Sequence, residues 1–141
     1  MTEQHAVEDF LRQANVAVLA TVDSKGRAHA APIWYLYEAG ELIMSTGRGS
    51  QKHRNIEAHP DVTLVVDRRD VPYYAVMAQG RAEIGAPLSD EERLKLAVRY
   101  LGDEVGQAYV ARTRGCDSIT IRLRPRKLIE FQGEAGRRER S

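Results

Sequence analysis

Met44-Ser45-Thr46-Gly47-Arg48-Gly49-Ser50-Gln51-Lys52-His53-Arg54-Asn55-Ile56 runs from an apolar strand through a glycine-rich turn into a short helix. Ser50 suits the N-cap, and Gln51, Lys52 and His53 form the first helical turn. The free N–H groups of such a turn and the positive end of the helix dipole favour an anion. A cation there is out of place in an isolated helix, by roughly 0.3–1 kcal/mol. Lys52 therefore reads in two ways: as the charge of a phosphate site, or as a surface lysine on a connector.

Upstream of this run, Glu38-Ala39-Gly40 is a turn and residues 41–46 a strand. Thr2 is placed to cap a first helix with Ala6, Val7, Phe10, Leu11 and Ala14 on its apolar stripe. Residues 16–22 are β-branched and apolar on both sides, the pattern of a strand with no solvent face. Asp23-Ser24-Lys25-Gly26 turns that strand into a second over 27–37, where Pro32 marks a bulge or an exposed edge.

Downstream, the helix from Gln51 stops at Pro60, and residues 62–66 make a fourth strand. A charged loop over 67–72 leads to a long fifth strand over 73–84, in which Gly80 predicts a kink. Ser89 and Glu92 form a capping box ahead of Leu94, Ala97, Val98 and Leu101, and Gly102 ends that helix. A further helical segment over 103–114 precedes a last strand over 118–131, broken at Arg124-Pro125-Arg126. Six strands joined mainly by hairpins predict a mainly β (α+β) antiparallel barrel with flanking helices. The glycines at 47 and 49 complete neither a dinucleotide fingerprint nor a Walker A spacing.

The 141 residues suit one domain, read as residues 1–133 followed by a flexible basic tail over 134–141 that carries Arg137, Arg138 and Arg140. A net charge of +1 offers no general attraction to nucleic acid. The single cysteine, Cys116, excludes an internal disulfide and thiolate zinc clusters. No signal peptide and no apolar run near ~18 residues is visible, so a cytoplasmic protein is expected.

His5, His29, His53 and His59 have no nucleophile or carboxylate set beside them by sequence, which argues against a hydrolytic triad. The spacing of His53 and His59 does not place both on one helix face, and no metal site is expected. What remains is an anion turn with aromatic residues nearby: Trp34, Tyr35 and Tyr37 on one strand, Tyr73 and Tyr74 on another. Aromatics in such numbers fill a core by default, or wall a flat ligand. A phosphorylated planar cofactor would use both features, and much of the chemistry would then be the cofactor's.

The run from Met44 to Lys52, then Asn55-Ile56 and Pro60 before a strand, resembles the cofactor segment of the pyridoxamine 5′-phosphate oxidase-like split β-barrel superfamily. The resemblance extends from the first strand through Gly26 and Pro32-Ile33-Trp34-Tyr35 to Gly80-Arg81-Ala82-Glu83. Within the superfamily the pattern is most similar to the actinobacterial-type flavin and deazaflavin oxidoreductases, small homodimers that bind FMN or coenzyme F420. The resemblance implies a cofactor in the dimer cleft, its phosphate on Lys52 and Ser50 with Gln51 and Asn55 alongside. The ring would rest against Ala31, Pro32, Ile33 and Trp34 and against Ser45, Thr46 and Gly47. Tyr35, Tyr73 and Tyr74 are the implied substrate-pocket residues, Tyr73 reaching in from the partner.

Departures narrow the expectation. Pyridoxamine phosphate oxidases carry an arginine and a lysine on the second strand where this chain has Ala30 and Tyr35, an arginine where it has Gln51, and a glutamine where it has Ala75. Deazaflavin-dependent members tolerate these changes. The expected protein is thus an F420-dependent oxidoreductase acting on an unsaturated or heteroaromatic small molecule. FMN is the alternative cofactor, and a non-catalytic flavin- or haem-binding protein the alternative of another class.

Overall fold

The computed structural model describes residues 3–133 and 137–140. The chain runs α1 (Glu3–Leu11), β1 (Ala17–Val22), β2 (Ala28–Ile33), β3 (Leu36–Glu38), β4 (Glu41–Gly47), α2 (Gln51–Ala58), β5 (Asp61–Arg68), β6 (Tyr74–Gly85), α3 (Asp90–Leu101), α4 (Asp103–Arg112), β7 (Ser118–Leu123), β8 (Lys127–Phe131) and β9 (Arg137–Arg140). The strands form an antiparallel sheet in the order β2-β1-β5-β6-β7-β4-β3, with β8 joined to β6 and β9 to β8. The sheet curls into a half-barrel with four flanking helices.

Among the described residues nine strands replace the six expected: the expected second and last strands each divide, and residues 137–140 add one. β2 is an edge strand that tolerates Pro32 and stays paired to Ile33, after which Trp34-Tyr35 carries the chain over to β3. Arg124-Pro125-Arg126 separates β7 from β8. Both pair with the same edge of β6, β7 along Ala82 to Gly85 and β8 along Ala75 to Gln79. Gly80 sits at the crossing, where an added Cβ would lie 3.0 Å from the Arg124 carbonyl oxygen and 3.1 Å from Leu123 Cδ1. The glycine expected to mark a kink is required there by the close approach of another strand. Residues 137–140 pair as β9 with β8, so a strand stands inside the stretch expected to be a flexible tail. The Thr2 cap lies outside the described residues.

Leu11, Leu19, Tyr35, Leu42, Met44, Leu64, Ile119, Ile121 and Leu123 are the largest fully buried side chains of the main core, which also takes in Phe10. A second cluster of Leu36, Ile43, Leu88 and Leu96, backed by Trp34 and Tyr100, fixes α3 to the β3-β4 side of the sheet. The capping box is formed, Ser89 accepting from Glu92 N–H while Glu92 accepts from Ser89 N–H. The helix behind it buries Leu96 and Ala97 and leaves Leu94 exposed, a rotation that follows from packing on Trp34. α4 folds back closely enough that a Cβ on Gly106 would meet Val98 at 2.9 Å.

One side of the sheet stays open. β1 buries Ala17, Leu19 and Thr21 but only half-buries Val18, Ala20 and Val22, contrary to the expectation of a strand with no solvent face. Register places Val18 beside Pro32 and Val65, and Ala20 beside Ala30 and Thr63, with Val65 next to Met77. All are half-buried or exposed, making a continuous face of small and apolar side chains.

Candidate functional site

The end of β4 holds the turn in place through three bonds of different origin. Thr46 Oγ1 lies 3.0 Å from Ser50 Oγ, Arg48 N–H donates to the Asp117 carbonyl at 3.2 Å, and Arg48 Nε donates to the Asp117 carboxylate at 2.9 Å. Gly49 takes φ +78°, a conformation that favours glycine. Its N–H donates to His53 Nδ1 at 2.9 Å, which assigns the neutral ring's proton to Nε2, 3.5 Å from Glu57. Ser50 is the N-cap, its hydroxyl accepting from His53 N–H at 3.2 Å.

The first-turn amides of Gln51 and Lys52 are left over. Neither has an acceptor among the described residues, as expected for the first positions of a helix. Lys52 is half-buried, and its ammonium makes no hydrogen bond or ion pair among the described residues. An added Cβ at Gly47 or Gly49 would meet nothing within 4 Å, so the space over the turn is open. Two N–H donors, a half-buried cation and open space are the features that anion sites use.

Beside the turn lies a pocket of about 410 Å³, lined by Trp34, Ser45, Thr46 and Gly47 from the expected set. α3 contributes Arg93, Leu96 and Ala97, α4 and its C-cap contribute Tyr109 and Thr113, and the chain leading into β7 contributes Cys116 and Asp117. Trp34 stacks on Tyr100 with ring centroids 5.0 Å apart and meets Tyr109 at 5.6 Å. The α3 and α4 residues were missed because sequence distance hides them; Arg93, one position past the capping-box glutamate, was the one available signal.

The remaining expected residues separate into different places. Ala31 and Pro32 lie on the open edge strand, while Ile33 is a core residue. Gln51 spends its amide inside α2, donating to Asn55 Oδ1 at 2.7 Å and accepting from Arg54 at 2.7 Å. Asn55 is buried and donates to Thr21 Oγ1 at 2.9 Å, so its side chain ties α2 to β1 and contacts no open space.

Tyr35 corrects the expectation of a substrate-pocket phenol. It is fully buried, alternation having turned it away from Trp34, and its hydroxyl donates to the Leu11 carbonyl at 2.7 Å. Burial raises its ionisation well above the ordinary phenol range despite Arg99 stacked 4.7 Å over the ring. Tyr74 packs edge-on against Phe10 and donates to Glu130 at 2.7 Å, a supporting role. Tyr73, exposed, lines with Tyr74, Arg68, Arg69 and Phe131 a second pocket of about 340 Å³ that shares no residue with the first. Among the described residues no group of histidine, cysteine or carboxylate side chains is placed to hold a metal ion, and no helix is long and apolar enough to cross a membrane.

Comparison with known proteins identifies the fold. Among curated proteins none matches the chain. A solved structure of an F420 reductase is 28% identical, with a TM-score of 0.70 over 86% of this chain and 94% of that one. A conserved hypothetical protein of Mycobacterium tuberculosis superposes with a TM-score of 0.75 at 23% identity, over 95% of this chain and 86% of that one. The haem storage protein of Vibrio cholerae has the same fold, with a TM-score of 0.69 at 18% identity over 94% and 98% of the two chains. The sequence profile of pyridoxamine 5′-phosphate oxidase matches residues 3–138, from α1 to β9, so the half-barrel with its glycine turn and capped α2 belongs to the pyridoxamine 5′-phosphate oxidase family.

Proposed function

We propose that the protein is an oxidoreductase that uses coenzyme F420, bound with its phosphate at the start of α2. The observation that carries this reading is the unpartnered Lys52 ammonium beside the free amides of Gln51 and Lys52. These groups fit a phosphodiester: two N–H donors and one charge, with room above Gly47 and Gly49. Ser50 acts indirectly, by capping α2 and aiming those amides. The ring would lie along Ser45 to Gly47, near Trp34. When bound, the deazaflavin supplies hydride chemistry toward an unsaturated or heteroaromatic small molecule. The chain's own part is to hold the phosphate, orient the ring edge and keep water from an apolar pocket, so that proximity provides most of the acceleration.

The similarity to an F420 reductase supports the choice of cofactor. So does Gln51, whose amide is engaged within α2 and offers no charge to an FMN phosphate. We further propose that a second copy covers the open face around Val18, Ala30, Val65 and Met77, which is apolar and of small side chains as a tight sheet-to-sheet contact requires. That copy would bring its own Tyr73 toward the cofactor. Titration of cofactor-free protein with F420 and with FMN, followed by fluorescence, tests the assignment. F420 is expected to bind more tightly; tighter FMN binding would replace the cofactor, and tight binding with no turnover of enones, quinones or tetrapyrroles would make the protein a carrier.

A further inference from the structure

The pocket of about 410 Å³ is walled unevenly. On one side stands Trp34, held in place by Tyr100 and Tyr109. Packed against it are Leu88 and Leu96, which with Ala97 add a buried aliphatic lining. Walls of this kind enclose a flat, apolar body.

Its charge is also uneven. The pocket's acid, Asp117, is already paired with Arg48 at 2.9 Å. Its arginine is not so matched. Arg93 Nη2 donates to Thr113 Oγ1 at 2.6 Å, and that hydroxyl donates onward to the Tyr109 carbonyl at 2.8 Å, which fixes the guanidinium plane. The nearest carboxylate, Asp90, is 3.7 Å from Nη1 and 76% exposed, while the Arg93 side chain is only 21% exposed. A long pair to an exposed acid contributes little, and a planar guanidinium with donors to spare suits a carboxylate in two-point contact.

We propose that this pocket binds a flat, largely apolar carboxylate, its acid group on Arg93 and its body against the apolar lining of Trp34, Leu96 and Ala97. That this ligand is the enzyme's substrate rests on the reading above of Ser45 to Gly47 as the edge of the cofactor ring. Cys116 supplies the readout, being the chain's single cysteine, exposed, and part of the pocket lining.

The test measures alkylation of Cys116 by N-ethylmaleimide in the full chain without cofactor, by mass spectrometry, in the presence of 2-naphthoate or its neutral counterpart 2-naphthylmethanol. Naphthoate at up to millimolar concentration is expected to slow alkylation by about fivefold or more, as site occupancy requires. Half-protection should need roughly tenfold less naphthoate than naphthylmethanol, the worth of a charge-assisted hydrogen bond. Arg93→Gln should remove the difference between the probes and Arg93→Lys restore part of it. No protection by naphthoate, equal protection by both probes in the unsubstituted protein, or a difference that survives in Arg93→Gln would overturn the proposal. The comparison of probes on the unsubstituted protein needs no variant to fold. Failure here with F420 binding intact removes the carboxylate pocket alone; naphthoate protection without F420 binding removes the cofactor reading alone.

Discussion

Two tight turns in this chain, one after β1 and one after β4, contain similar residues and use them oppositely. In the first, Asp23 accepts from Lys25 N–H and Arg27 N–H at 2.9 Å each and pairs with His29 at 2.9 Å. Gly26, at φ +81°, donates to the Asp23 carbonyl and closes the loop. Its central charge is met from within. The second turn is braced just as firmly by Thr46, Ser50, His53 and Asp117, yet Lys52 and two amides remain without partners among the described residues. The first turn satisfies its polar groups internally; the second, read as the proposed phosphate site, keeps some in reserve, and the bracing holds them aimed.

The largest expected effect falls on that reserve. Lys52→Ala should weaken F420 binding by about 1.5–3 kcal/mol, the loss of a charge-assisted hydrogen bond, as read by fluorescence titration. Thermal stability should stay within about 0.5 kcal/mol, because Lys52 holds nothing else in place. Ser50→Ala is expected to reverse that division. Removing the N-cap should cost roughly 1 kcal/mol of folding stability by denaturant unfolding, and reduce cofactor affinity only as far as the amides lose their aim.

The smallest effect belongs to the first turn and appears only with acid. His29 foremost, then the Arg27 amide, lower the Asp23 carboxyl from its ordinary 3.8 to about 2. A lowered carboxylate stabilises the folded state fully above about pH 4, and that contribution disappears as pH falls through about 2. A carboxyl-carbon NMR titration should place the Asp23 midpoint near 2, and Asp23→Ala should flatten the loss of stability between pH 4 and 2. A midpoint at the ordinary value would mean that the first turn is no more self-contained than the second.

The same contrast explains what could be read in the sequence. Local devices were legible: the hairpin at Asp23-Ser24-Lys25-Gly26, the box of Ser89 and Glu92 and the cap at Ser50 all depend on neighbours in the chain, whereas the strand approach that Gly80 admits, expected only as a kink, does not. Pro32 signalled an edge strand and Arg124-Pro125-Arg126 the break in the last one, but pairing on both edges of β6 is a tertiary fact. At the site, the turn was legible and its surroundings were not. Trp34 and Tyr35 are adjacent aromatics, and only the phase of the strand decides that one meets the pocket and the other the carbonyl of Leu11. Asn55 joins the expected site through the family resemblance alone, whereas its side chain faces β1. Arg93, Tyr109 and Thr113 reach the pocket from helices that pack on the sheet far from β4 in sequence.

The claim that Lys52 exists for a phosphate is tested most directly by a two-by-two binding measurement. F420 and its deazaflavin fragment lacking the phosphate and tail are each titrated into the unsubstituted protein and into Lys52→Ala. The account predicts that the substitution weakens F420 by roughly tenfold or more and leaves the fragment unchanged, the difference being the contact between ammonium and phosphate. Equal weakening of both ligands, or of neither, would contradict it.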